Sequence, residues 1–157
     1  MSLSAYIAAM PKAELHVHLE GSIRPETLLA LAERHGVALP AHTLPELQEW
    51  YTFTGFPHFV QIYYTIAECL RTPDDIELIA REFLIGQAAQ NIRYSEVTYT
   101  PYTHFAQKGM PFSEQLAALN RALEAARTGA GGIVLLAGEA GVGKTRLLEA
   151  GLARAGL

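Results

Sequence analysis

Two histidines separated by one residue, His16 and His18, are the first side chains whose types and spacing could do chemistry. Neutral imidazole is a good zinc ligand, and residues i and i+2 of a β-strand point to one face, so the pair could grip a single metal ion. Spacing alone leaves a second reading open, two polar side chains on a strand face. Another constellation lies near the far end, where residues 138–145 (GEAGVGKT) fit the pattern G-x-x-x-x-G-K-[ST] in full. There Gly138, Gly141 and Gly143 would let backbone N–H groups face phosphates. Lys144 would reach the outer phosphates, and Thr145 would hold magnesium. The ligand implied is Mg-ATP or a similar nucleotide.

These residues need elements to hold them. From Glu14 to Leu19, apolar Leu15, Val17 and Leu19 alternate with the two histidines, the two-residue period of a strand. The alternation puts the three apolar side chains on one face and both imidazoles on the other. Pro25 then opens a helix that carries Leu28, Leu29 and Leu31 and stops at His35 and Gly36, which makes a βα unit. Residues 44–70 are aromatic and irregular and predict short helices. Pro73, Asp74 and Asp75 start another helix, with Ile76, Ile79, Ala80, Phe83 and Leu84 on one face. Ile92 to Thr100 is rich in β-branched and aromatic residues and predicts a second strand stopped by Pro101. A further helix is expected from about Ser113 to Arg127. Past Thr128 the character changes: Gly129, Gly131 and Gly132 make a joint, and Ile133 to Ala137 is a purely apolar strand in front of the glycine-rich motif. Alternating strands and helices imply an α/β class with a parallel sheet. We place a domain boundary between residues 1–127 and 128–157.

Composition narrows the functions open to the chain. Half of its 157 residues are apolar, enough for a buried core, and the net charge is −4 with the 12 Lys and Arg spread singly. No basic stripe suits nucleic acid. One cysteine, Cys69, excludes an internal disulfide and the zinc patterns built on paired cysteines, which fits a reducing cytoplasm. The apolar stretch Leu3 to Met10 lacks the flanks of a signal peptide, and no run approaches the roughly 20 apolar residues of a membrane span.

The text around the histidine pair carries more than its spacing. Residues 11–22 (PKAELHVHLEGS) closely resemble the first barrel strand of the adenosine deaminase family, and the likeness continues through residues 24–28 (RPETL), 56–63 (FPHFVQIY) and 94–101 (YSEVTYTP). It covers about residues 11–127. Among subgroups it is similar to bacterial deaminases acting on adenosine, adenine or aminodeoxyfutalosine. The resemblance implies a (β/α)8 barrel with its site at the C-terminal ends of the strands, and a zinc-dependent hydrolytic deamination of a purine nucleoside or related small molecule. It further implies His16 and His18 as the first two zinc ligands, Glu20 as the acid that contacts a nucleoside sugar, and Gly21 as the point where the loop passes close to substrate. Phe56, Phe59 and Tyr63 resemble an apolar lid over the purine, although such clusters also serve as plain core.

The family's remaining zinc histidine, catalytic glutamate, second catalytic histidine and aspartate come from later strands. A full barrel takes about 250 residues. The expectation is therefore a partial (β/α)8 barrel of the first βα units, continued by a P-loop strand, loop and helix, with a weak two-histidine zinc site, no assignable catalytic residue and no activity from this chain alone. Of the other histidines, His35 is expected to favour a helix-end dipole, and His104 to be an exposed loop residue. Residues 132–157 resemble the start of ATPase modules in bacterial signalling and transcription regulators. The alternative function is thus an ATP- or GTP-binding module without hydrolysis. Open sheet edges would favour self-association.

Overall fold

A computed structural model describes residues 1–127. The order of elements is α1 (Leu3–Ala9), β1 (Lys12–His18), a short 3-10 turn (Glu20–Ser22), α2 (Pro25–His35), α3 (Leu44–Trp50), α4 (Phe56–Cys69), α5 (Pro73–Ala89), β2 (Ile92–Thr98), α6 (Pro101–Lys108) and α7 (Phe112–Arg127). The strand at residues 133–137 and the motif at 138–145 lie outside the described residues.

Local chemistry explains most of the boundaries. Helix α2 begins with Pro25 in its first turn and ends at Gly36, whose φ of 63° is the left-handed cap that glycine adopts without penalty. Helix α5 starts from a capping box. The Thr72 hydroxyl accepts from the Asp75 backbone N–H, and the Asp75 carboxylate accepts from the Thr72 N–H. Thr43 and Glu46 form the same device at α3. The aromatic stretch expected to be short helices resolves into one short helix, α3, and one of 14 residues, α4. Two elements have weak sequence signals. Helix α1 buries none of its side chains. Helix α6 is eight residues long and begins at the strand-stopping Pro101, which suits a first helical turn as well as it ends a strand.

Strands β1 and β2 pair in parallel, with Glu14 opposite Ser95, Val17 opposite Val97 and His18 opposite Thr98. Three steps along β1 match two along β2, so β1 carries one extra residue, a bulge. Its mark is His16, with φ of 66°. The bulge changes which side chains share a face and corrects the alternation expected from sequence. Glu14 accepts from Gln87 of α5, and Val17 and Leu19 pack into the core, whereas Leu15 is 62% exposed. Leu15 therefore lies off the apolar face that a regular strand would give it.

Helices cover one face of this sheet. Leu19 and Val97 join Leu28, Leu31, Leu47, Ile76, Ile79 and Leu119 in a single core, and α5 packs against both α7 and β2. Cys69 is buried in that core, where burial pushes its thiol up to about 11 and leaves it unreactive. Among the described residues no helix is long and apolar enough to cross a membrane.

Candidate functional site

The C-terminal ends of the two strands bring the chemistry together. His18 closes β1, and the backbone pairing continues one step further through Leu19 N–H donating to the Thr98 carbonyl. Both His16 and His18 are exposed, and their ring centres are 5.4 Å apart. With a Zn–N distance of about 2.1 Å, two imidazoles on one tetrahedral ion have ring centres about 5 Å apart, so the spacing suits a shared metal. A regular strand alone would not decide this. The left-handed backbone at His16 sets where its ring lies relative to that of His18, and a non-glycine residue keeps such a conformation where the surroundings impose it.

The donor set is two of the three protein ligands that a catalytic zinc ordinarily takes. Among the described residues no group of three or more His, Cys, Asp and Glu side chains could hold a metal ion. As a pair, His16 and His18 could supply part of a donor set.

Glu20 follows immediately, in the 3-10 turn, and it is 1% exposed. Its Oε1 accepts from the Thr100 backbone N–H at 2.9 Å and lies 3.4 Å from His104 Nε2. Its Oε2 has no protein partner. The expected exposed loop position of His104 is corrected here, because the residue sits in α6 and is fully buried. Its ring stacks on Tyr99, with centres 5.5 Å apart and planes 14° from parallel. Tyr99 in turn donates its hydroxyl to Gln115 of α7 at 2.6 Å. Burial pushes the Tyr99 phenol up, well above its ordinary range, so it remains a donor.

Sequence reasoning missed the Glu20–His104 pairing because it missed α6. With Pro101 as a helix start, His104 falls one turn in, and that was the signal available.

The remaining site residues take distinct places. Tyr63, half-buried on α4, shares a hydrogen bond with the Thr100 hydroxyl at 3.1 Å and sets its ring edge-on to His18, 6.1 Å between centres. Burial first, and then the Glu20 charge, raise its phenol above the usual value. Phe56 and Phe59 stand at the start of the same helix, exposed and stacked 6.2 Å apart, and Phe53 meets Phe59 edge-on. Tyr63 is thus at the metal edge, while the phenylalanines form a separate exposed cluster. At Gly21 a Cβ would lie 3.7 Å from that of His18, an ordinary contact, so glycine keeps the space beside His18 clear rather than relieving a clash. Gly138, Gly141, Gly143, Lys144 and Thr145 lie outside the described residues.

Comparison with known proteins converges on one family. The profile of the adenosine deaminase family matches residues 11–142. The adenine deaminase of Pseudomonas syringae pv. syringae is 41% identical over 119 residues, 76% of this chain and 37% of that protein. The crystal structure of the adenine deaminase from Arthrobacter aurescens superposes with a TM-score of 0.73 at 32% identity, over 94% of this chain and 46% of the other. An amidohydrolase from Burkholderia ambifaria with bound zinc superposes with a TM-score of 0.72 at 28% identity, over 87% and 38%. The chain spans little more than a third of the length of the curated relatives it matches. The likeness of residues 132–157 to an ATPase module finds no support in these comparisons.

Proposed function

The chain belongs to the adenosine deaminase family, and on that premise we propose that it supplies the first metal-binding edge of a hydrolytic deaminase whose substrate is a 6-aminopurine, adenine itself before its nucleoside. The observation that carries this reading is the His16–His18 pair, 5.4 Å between rings at the C-terminal edge of a parallel sheet. In parallel α/β barrels that edge is where ligands are handled. Adenine is preferred over adenosine because the relatives cited act on adenine. The burial of Glu20 agrees, since a carboxylate 1% exposed is not offered to a sugar hydroxyl.

Each residue has a part. His16 and His18 would hold the zinc ion, through one imidazole nitrogen each. The chemistry such an ion supplies is to make water a nucleophile at neutral pH. Gly21 leaves room beside His18 for a flat ring, and the exposed Phe53, Phe56 and Phe59 offer aromatic surface to cover it. No described residue is placed to move the proton. The 157-residue chain is therefore expected to bind zinc through the pair and to release no ammonia from adenine or adenosine.

The test is a chimera in which residues 1–127 replace the matching segment of the adenine deaminase from Arthrobacter aurescens. Zinc-dependent release of ammonia from adenine, abolished by His18→Ala, is the expected result. A folded, zinc-loaded chimera with no turnover contradicts the proposal. The nucleotide-binding alternative rests on the sequence of residues 138–145 alone. It is tested by magnesium-dependent ATP binding that Lys144→Ala removes.

A further inference from the structure

The buried Glu20–His104 pair sits in the wrong place for a core ornament and the right place for a brace. A buried polar pair with incomplete hydrogen bonding is a poor way to stabilise a fold, because apolar side chains of similar volume usually do as well or better. Here both partners are incomplete. Glu20 Oε2 and His104 Nδ1 are buried and have no protein partner. The one oxygen that is engaged, Oε1, is engaged twice, by the Thr100 N–H and by His104. Since a carboxylate oxygen accepts, Nε2 of His104 is the donor in this contact.

From that oxygen a continuous set of contacts runs to the metal edge. Thr100 follows the end of β2, and its backbone ties Glu20, just past the end of β1, to the neighbouring strand. Its hydroxyl holds the Tyr63 hydroxyl at 3.1 Å. The Tyr63 ring then meets His18 edge-on, at 87° between planes. At the other end, Tyr99 stacks on the His104 ring, and Gln115 holds Tyr99 by its hydroxyl and reaches the Met110 carbonyl at 2.8 Å. The chain of contacts begins in the helical layer and ends on an imidazole.

We propose that His104 is a positioning residue for the metal edge, holding Glu20 and, through Thr100 and Tyr63, fixing the ring of His18. The proposal rests on the reading of His16 and His18 as a metal pair. Groups that orient a ligand from behind ordinarily affect metal affinity by about 10- to 100-fold. His104 acts through three intermediates, Glu20, Thr100 and Tyr63, so the lower end applies.

Zinc alone, titrated calorimetrically into the full chain, tests it alongside thermal unfolding of the same samples. His104→Phe keeps a flat ring against Tyr99 and removes the donor. It is expected to weaken zinc binding about tenfold with the unfolding midpoint unchanged or raised. His104→Gln keeps a donor nitrogen and should stay within about threefold of the parent. Tyr63→Phe removes one hydroxyl from a half-buried side chain, and serves if His104→Phe fails to fold; about threefold weaker binding is expected. Parental affinity in both His104→Phe and Tyr63→Phe overturns the proposal while leaving the metal pair intact. Failure of the parent chain to bind zinc in a manner that His18→Ala removes overturns the metal reading and the proposal together.

Discussion

Two buried carboxylates, each beside a histidine, behave in opposite ways in this molecule. Asp75 joins α2 to α5 and has every oxygen occupied. Oδ1 accepts from Arg34 at 2.9 Å, and Oδ2 accepts from His35 at 2.8 Å and from the backbone N–H groups of Arg71 and Thr72. Glu20 joins β1 to β2 at the chemical edge and has one oxygen occupied and one bare. A fully satisfied buried charge holds two helices in register. A half-satisfied one is a costly way to hold a fold and marks a region shaped for something else.

The comparison breaks most sharply at Asp75. Asp75→Ala leaves the His35 ring and two backbone donors without their acceptor and removes a helix cap, so a loss of about 3–5 kcal/mol is expected in urea unfolding. Zinc affinity should not change. A stability loss under about 1 kcal/mol would put Asp75 in the same class as Glu20.

Acid sharpens the same contrast. Burial works against the charged form of Asp75, but the backbone donors of Arg71 and Thr72, the Thr72 hydroxyl and the charge of His35 win, and its pKa falls below the ordinary 3.8. A carboxylate depressed in the folded state adds its stability at every pH above its unfolded value and loses it as the pH falls through the lower, folded one. Unfolding free energy should therefore decline below about pH 4, and Asp75→Asn should flatten that decline. An unchanged acid limb in the variant would contradict the assignment.

Glu20→Gln comes next in size. It keeps an acceptor for Thr100 and removes a buried charge, so stability should move by no more than about 1 kcal/mol. Zinc affinity should nonetheless fall measurably in calorimetry. The smallest effect belongs to Leu15→Ser. At 62% exposure the side chain has little to lose, and about 0.5 kcal/mol or less is expected, whereas Leu19→Ala, in the core, should cost about 2–5 kcal/mol. Equal costs at the two positions would mean that β1 is a regular strand after all.

That last pair shows what sequence could and could not carry. The starts of α2 and α5 and the stop of α2 were legible because Pro25, Gly36, Pro73 and Asp75 act locally, within one turn of where they stand, whereas the Thr72 cap came only with the structure. The family resemblance of residues 11–127 was legible because it lies in contiguous text. The bulge at His16 was not, since nothing in the alternation of Leu15, Val17 and Leu19 reports an extra residue; it exists only relative to β2. Nor was the Glu20–His104 pair, whose members are 84 positions apart and meet only once α6 folds back over the ends of both strands. His35 stood at a helix end as expected, yet its partner was the buried Asp75 rather than the dipole alone.

The central claim is that His16 and His18 hold one metal ion between them. Zinc K-edge X-ray absorption of the full chain at one equivalent of zinc tests it most directly. Two imidazole nitrogens at about 2.0–2.1 Å with the remaining positions filled by oxygen are predicted, and the imidazole signature should vanish in His16→Ala and His18→Ala alike. A spectrum that shows sulfur, or that survives both substitutions unchanged, contradicts the claim.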